Sequence, residues 1–233
     1  MTLPSNPTVD PVAGAVLARW EEQLPELLDT LDLPRDGVVQ VGAHTGQEVE
    51  AFSRLGFRRL VMMEPNQDHL PLLAQRLREF HESAGLPLPA DGREPRVVVQ
   101  AAAGRRHGQA TLYVTEYDQQ SSVLAPLGMP VLREVTIPVI PVAEIQAGCN
   151  VLVADAQGAE LDVLAGADLD RFQLIVVEGS ITARYTGGST VASIADLLRR
   201  AGWQQVAAWA HVRPEVYDLG WLAPSMTTHN KLR

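Results

Sequence analysis

Three acids and one glycine turn carry most of the chemistry this sequence could perform. Glu64, Asp155 and Glu178 each close a short apolar run, respectively Leu60–Met63, Val151–Ala154 and Leu174–Val177. Ligands of open α/β sheets bind at the carboxyl ends of the strands, so the three carboxylates are expected in one crevice. A fourth run, Val38–Val41, ends in Gly42-Ala43-His44-Thr45-Gly46 and leads into a helical pattern with Val49, Phe52 and Leu55 on one side. Glycine at such a turn lets a ligand approach the backbone, and the helix start offers free N–H groups. Glu64 stands 22 residues after Gly42, where an acid can accept hydrogen bonds from both ribose hydroxyls. The unit reads as a nucleoside-cofactor site.

A dinucleotide turn wants G-x-G-x-x-G, its second glycine clearing room for a pyrophosphate. Here the spacing is Gly42-x-x-x-Gly46, with His44 in the second glycine's place. That fits S-adenosylmethionine (SAM), which has no phosphate and sets an amino-acid tail beside the turn, better than NAD.

The elements that must position these groups alternate between strand and helix. Residues 1–9 read as a loose tail, Asp10-Pro11 as the start of a helix through Trp20, and Pro25 as the start of a second. These helices are expected to pack on the sheet rather than cover the cofactor mouth. After Glu64 come a helix on Leu70, Leu73, Leu77 and Phe80, a Gly/Pro-rich loop over 81–95, and a strand over Arg96–Gln100. Ala101–Gly104 offers small side chains beside which a flat base could lie. Gln109–Val114 and Val135–Val139 read as extended, and the polar stretch between them, Glu116–Leu124, as a substrate lid or a plain surface hairpin. The turn Tyr185–Ser189 precedes a helix on Val191, Ile194, Ala195 and Leu198. Val206–Ala210 and Val216–Leu222 then read as an antiparallel pair at the sheet edge.

The totals bound the function. A chain of 233 residues with 46% hydrophobic and 20% charged residues supports one full core. A net charge of −9 argues against broad nucleic-acid or anionic-membrane binding. A single cysteine, Cys149, gives neither an internal disulfide nor a cysteine zinc site. With no signal-peptide pattern and no apolar run long enough to span a bilayer, the expected location is the cytoplasm.

The motifs together resemble a class I SAM-dependent methyltransferase, specifically the FkbM family. VGAHTGQ (Val41–Gln47) with MEPN (Met63–Asn66) is similar to that family's VGAN-x-G and EPN blocks, and QQSSVL (Gln119–Leu124) to its Q-S-S segment. ADAQGAELDVLAGA (Ala154–Ala167) resembles its KIDVEGAE-x-x-VLKGA block, with VVEGS (Val176–Ser180) after it. The resemblance covers roughly residues 36–210. It implies a Rossmann-like methyltransferase fold: a mostly parallel seven-stranded sheet with an antiparallel C-terminal hairpin and helices on both faces. The domain would span 36–233, with 1–35 as an N-terminal tail and helices packed on it.

By position, the resemblance implies that Gly42, His44 and Gly46 surround the methionine part of SAM and that Glu64, with Pro65, meets the ribose. Gln100 and Ala101 would lie near adenine, and Asp155 between cofactor and substrate. Gln40 stands where an acid often sits, so a contact to the cofactor amine is weakened. The implied reaction is O-methylation of a hydroxyl on a small specialised metabolite or sugar. Positioning supplies much of the rate of such an in-line displacement, and a base must take the hydroxyl proton. Asp155, Glu178 and His211 are the candidates, with Gln120, Ser121, Ser122 and Tyr185 on the substrate side. A divalent metal is not favoured; were one used, Asp155 and Glu178 would hold it. The rival readings are a non-catalytic SAM-fold partner subunit and an NAD-dependent oxidoreductase. A homodimer is compatible with the sequence and not required by it.

Overall fold

The structure, a computed structural model, describes residues 10–82, 84–89, 91–213 and 215–227; the expected N-terminal tail lies outside them. The described residues form eleven strands: β1 Val16–Leu17, β2 Gly37–Val41, β3 Arg59–Met63, β4 Arg96–Val99, β5 Ala102–Ala103, β6 Gly108–Thr115, β7 Val131–Ile140, β8 Val151–Ala154, β9 Leu174–Ser180, β10 Gln204–Ala210 and β11 Val216–Leu222. Eight of them form the main sheet in the order β1-β10-β11-β9-β8-β2-β3-β4. The run β2, β3, β4, β8 and β9 is parallel, and β11 is antiparallel to both β9 and β10. This is the expected seven-stranded methyltransferase sheet with its terminal hairpin, extended by one short edge strand.

Parallel strands with both faces covered are nearly continuous apolar runs, here interrupted by the buried Gln40, Arg59 and Glu178, and alternate residues go to opposite faces. Val39, Val41, Val61, Met63, Leu152, Ala154, Ile175 and Val177 enter one core. Their neighbours Val38, Leu60, Met62, Val151, Val153, Leu174 and Val176 enter the other. The first core is closed by α4 (Glu160–Ala165) and α5 (Val191–Arg200). The second is closed by α1 (Trp20–Thr30), α2 (Val49–Arg54) and α3 (Leu70–Arg76). At α5 a reciprocal Thr190–Ser193 capping box satisfies the first turn.

The N-terminal segment departs from expectation. Residues 11–14 form a turn in which Asp10 Oδ1 accepts from Val12 N at 3.0 Å. Gly14 has a φ of +76°, which a helix cannot continue through. The freed Val16–Leu17 adds to the sheet beside Trp209 and Ala210. One helix then runs from Trp20 to Thr30 with Pro25 inside it, rather than a second helix starting there. It packs Trp20, Leu24 and Leu28 on the sheet, while its first turn also walls the cavity described below.

The stretch between β4 and β8 forms a second sheet, β5-β7-β6, over a small core of Ala102, Leu112, Val114 and Ile137. The tip of its long hairpin turns back at Asp118–Gln120. No helix among the described residues is long and apolar enough to cross a membrane.

Candidate active site

One cavity of ≈ 630 Å³ opens at the carboxyl ends of β2, β3, β8 and β9, well within the size range of small-molecule sites. Its floor is the glycine turn. Gly42 N and Ala43 N both donate to Met63 O at 3.0 Å, pinning the turn to the next strand. Gly42 has a φ of +77°, and a Cβ there would fall 1.8 Å from the Asp155 carbonyl oxygen. The close approach of β8 therefore demands the glycine whatever ligand binds; Gly42, His44 and Gln47 all border the cavity, whereas Gly46 packs against Leu73 behind it.

Glu64 is buried, and its carboxylate already holds the turn together. Oε2 accepts from His44 N at 2.7 Å and Oε1 from Asn66 N at 2.8 Å, with His69 Nδ1 3.3 Å from Oε1. An ionised carboxylate offers about four lone-pair sites, so capacity for a ribose hydroxyl remains. Pro65 borders the cavity beside it. On the opposite wall lie Ala101–Ala103 and Leu112; Gln100, expected there too, points to the exposed surface and does not line the cavity.

Gln40 turns out to have a partner that the sequence did not suggest. Its Nε2 donates to Glu48 Oε2 at 2.9 Å, and burial raises the Glu48 carboxyl above its ordinary range, with the Gln40 bond working the other way. Both residues line the cavity. Gln40 Oε1 is buried and has no hydrogen-bond partner among the described residues, an expensive state for a buried acceptor. An orphan carbonyl beside a carboxyl group is a pair of acceptors that an ammonium group could fill, and Glu48 thereby puts an acid close to the position where Gln40 lacks one.

The substrate-side residues converge on Gln157, a left-handed residue at φ +49°. Its Nε2 donates to Asp155 Oδ1 at 2.5 Å and to Glu178 Oε1 at 3.0 Å, and its Oε1 lies 2.8 Å from the Tyr185 hydroxyl. Ser122 Oγ donates to Gln157 O at 2.8 Å, and Gln120 O lies 2.9 Å from the same Tyr185 hydroxyl. Gln120 and Tyr185 do not line the cavity; they brace the loop that carries Asp155. Ser121 and Ser122 do line it, but Ser121 Oγ accepts from Thr115 N and Ser122 Oγ is committed to Gln157.

Asp155 and Glu178 both face the cavity with perturbed acidity. Burial, then the charges of Glu178 and Glu160, push the Asp155 carboxyl well above its ordinary range. Burial and then Asp218 push Glu178 up to about 7, against the pull of Arg213. Asp218 stands directly across from Glu178 in the β9–β11 ladder, a like-charge pairing that destabilises both ionised forms. It also lies 2.6 Å from His211 Nε2, the hydrogen bond that dominates in raising the His211 imidazole above its usual range. His211 Nδ1 is 3.8 Å from Glu178 Oε2, and Arg213 Nη2 is 3.4 Å from the same oxygen. His211 thus joins the strand-end acids as the sequence suggested. Asp218 was legible in principle, since β11 alternates and an acid falls on the same face as Val216, Gly220 and Leu222. Gln157 was visible as the one polar residue where the FkbM block has its middle glutamate.

At the other end of the cavity, His44 and His69 pack ring on ring with centroids 3.9 Å apart. Each Nε2 lies 3.3 Å from Oδ2 of Asp118 at the hairpin tip. Burial pulls His69 down, but the Glu64 bond and the charges of Glu64 and Asp118 outweigh it, and the imidazole is raised on balance.

The model of the FkbM methyltransferase domain matches residues 40–204, most of the chain. The chain belongs to the FkbM methyltransferase family. No curated protein matches this methyltransferase in sequence. Solved structures similar in shape include precorrin-6y C5,15-methyltransferase from Geobacter metallireducens GS-15, at 14% identity and TM-score 0.48, covering 91% of this chain and 95% of that one. Another is the cofactor-bound Rv0187 from MTB, at 15% identity and TM-score 0.49, covering 91% and 82%. A third is the SAM-bound magnesium protoporphyrin IX methyltransferase (ChlM) from Synechocystis PCC 6803, at 11% identity and TM-score 0.45, covering 88% and 79%. The family makes this a SAM-dependent methyltransferase acting on a methyl acceptor, and the cavity suits that cofactor. Glu48 and the Gln40 orphan offer an ammonium site, Glu64 retains acceptor capacity, and the acids around Asp155 favour a cation.

Proposed function

We propose that the enzyme O-methylates a small hydroxylated molecule, a specialised metabolite or sugar, with His211 as the base that removes the hydroxyl proton. SAM, when bound, supplies an electrophilic methyl on a cationic sulfur. Gln40, His44, Glu48, Glu64, Pro65, Ala101 and Asp155 would hold it.

The observation that carries the reading is the Asp218–His211 pair. Asp218 accepts from His211 Nε2–H at 2.6 Å, which fixes the tautomer that leaves the Nδ1 lone pair free to take a proton. A carboxylate that holds an imidazole in one tautomer and stabilises its charged form is the logic of the catalytic triad. Glu178 then lies within reach of the imidazolium at Nδ1, and Arg213 at the rim keeps that carboxyl from rising further. Burial and the neighbouring acids raise the Asp155 carboxyl, and a cation arriving beside it would favour its charged form.

Glu178, His211 and Asp218 bring ligand atoms within 4.8 Å of one another, an arrangement that a metal ion could also use. Arg213, 3.4 Å from Glu178 Oε2, already places a cation on that carboxyl and supports the metal-free base instead.

The test is a panel of hydroxylated small molecules incubated with enzyme and SAM, read by S-adenosylhomocysteine release and a methyl-shifted product mass. O-methyl product formed by wild type, with His211→Ala slower by about 10²–10⁴, is the expected result. Methylation at nitrogen or carbon, or full activity without His211, would refute it. The domain division at residue 36 belongs to the same proposal, though β1 and α1 join the sheet and the cavity wall directly.

A further inference from the structure

In the His44–His69–Asp118 group only His44 belongs to the proposed cofactor site, and three observations single the group out. His44 Nε2 is shut off from solvent and finds no hydrogen-bond partner among the described residues, although Asp118 Oδ2 is only 3.3 Å away. His69 Nε2 is 3.3 Å from that same oxygen. All three ligand atoms lie within 4.8 Å of one another. We propose that these residues form a binding site for a divalent transition ion of the zinc class, which ties the hairpin tip to the cofactor turn.

The distances fit an ion better than a proton. Nitrogen and oxygen ligands about 2.0–2.1 Å from a tetrahedral ion stand roughly 3.3 Å from one another. That is the separation of each imidazole from Asp118. The same gap is long for a charge-assisted hydrogen bond, and one carboxylate oxygen serves two imidazoles at once. Two imidazoles and a carboxylate suit zinc and its first-row neighbours, and leave calcium or magnesium poorly served.

The surrounding contacts are those of a ligand set. A metal-bound histidine presents its other N–H to a carboxylate or carbonyl, which fixes its tautomer. His69 Nδ1 faces Glu64 Oε1 at 3.3 Å. His44 Nδ1 faces the Gln47 side-chain amide at 3.0 Å, and turning that amide over, a change of orientation only, gives Nδ1–H an oxygen acceptor. The neighbour to be displaced is Asn66 Nδ2, 3.3 Å from His69 Nε2. A fourth position opens on the cavity that all three residues line.

The three ligands come from separate segments: the cofactor turn, the start of α3, and the hairpin tip. Asp118 is more than half exposed; the far side of the tip is held through Gln120 and Ser122, and an ion would hold the side that faces the cofactor turn. An ion there fastens the lid over the mouth of the cofactor site.

The test uses full-length, tag-free protein stripped with a chelator, without cofactor or acceptor, so it is independent of the proposed O-methylation. Cobalt(II) is titrated and followed by its visible absorption, and zinc is then used to displace it. Expected is one equivalent with the intense bands of tetrahedral cobalt and no thiolate charge-transfer band. His44→Asn and Asp118→Asn should each weaken the affinity by about 10- to 100-fold or more, while Glu178→Gln leaves it unchanged. Asparagine tolerates the positive φ of +47° at position 44, and Asp118 is on the surface, so both variants fold. Absence of saturable one-equivalent binding, equal affinity in those two variants, or loss of binding in Glu178→Gln would each overturn the proposal.

Discussion

Replacing Asp218 with asparagine tests the proposed base most directly. The carboxylate is buried and accepts from His211 Nε2 at 2.6 Å, so the imidazole gains a charged hydrogen-bond partner as it takes up the proton. Such a bond contributes about 1.5–3 kcal/mol, or roughly 10- to 150-fold in rate if it is fully realised in the transition state. The loss grows toward about 10⁴ if the asparagine amide donates to Nε2, because the imidazole then carries its proton on Nδ1 and cannot act as base. The pH profile moves as well. His211 acts when deprotonated, and Asp218 raises it above its usual range, so activity in the wild type climbs with pH along an acid limb. In Asp218→Asn that limb moves to lower pH while its plateau falls. The assay is the initial rate of S-adenosylhomocysteine release from an accepted hydroxyl substrate, over about pH 5.5–9. Glu178→Gln is run alongside, since the asparagine also relieves the repulsion on Glu178. A wild-type plateau with an unmoved acid limb, or a limb that moves up, would refute the dyad.

Other outcomes follow from the same geometry. Glu48→Gln removes the charge beside the Gln40 orphan and should weaken S-adenosylhomocysteine binding by about 10- to 150-fold, read by isothermal titration at constant pH. Gly42→Ala drives a methyl group into the Asp155 carbonyl at a positive φ; the strain alone costs about 1–3 kcal/mol. The resulting fall in thermal midpoint is at least about 2–12 °C, and an unchanged midpoint would mean that the β2–β8 contact is loose. Glu178 sits at about 7 in the folded chain against 4.5 unfolded. Its folded form therefore holds the proton more tightly, and the stability it contributes is present below about pH 4.5 and lost as pH rises through about 7. Glu178→Gln should flatten that part of the Tm–pH curve, measured by calorimetry, and a curve parallel to the wild type would count against the shift.

The fold was legible because its signals are local and repeated. Both faces of each central strand are apolar, so Val38–Val41 and Leu174–Val177 could hardly be anything but buried parallel strands. The N-terminal helix boundary was illegible for an equally local reason: Gly14 takes a positive φ that the apolar spacing around it does not signal, and α1 tolerates Pro25, a residue type that favours helix starts, within its first turns. The site was legible only where chemistry and strand ends coincide, at Glu64, Asp155, Glu178 and His211. Glu48, Gln157 and Asp118 lie on turns whose paths no periodicity encodes, and each matters through a partner distant in sequence. Gln120 and Tyr185 show the converse, since a polar residue in a resembling block can serve as a brace behind the wall.

The edge strand β1 has a consequence for how the cavity is walled. It is two residues long, both side chains are largely exposed, and it is attached to β10 by main-chain pairing alone. Leu17 to Glu22 nevertheless form one side of the cavity. Two residues of pairing hold far less than the four- to seven-residue ladders at the centre of the sheet, so the cavity is walled on this side by the sheet's least anchored margin.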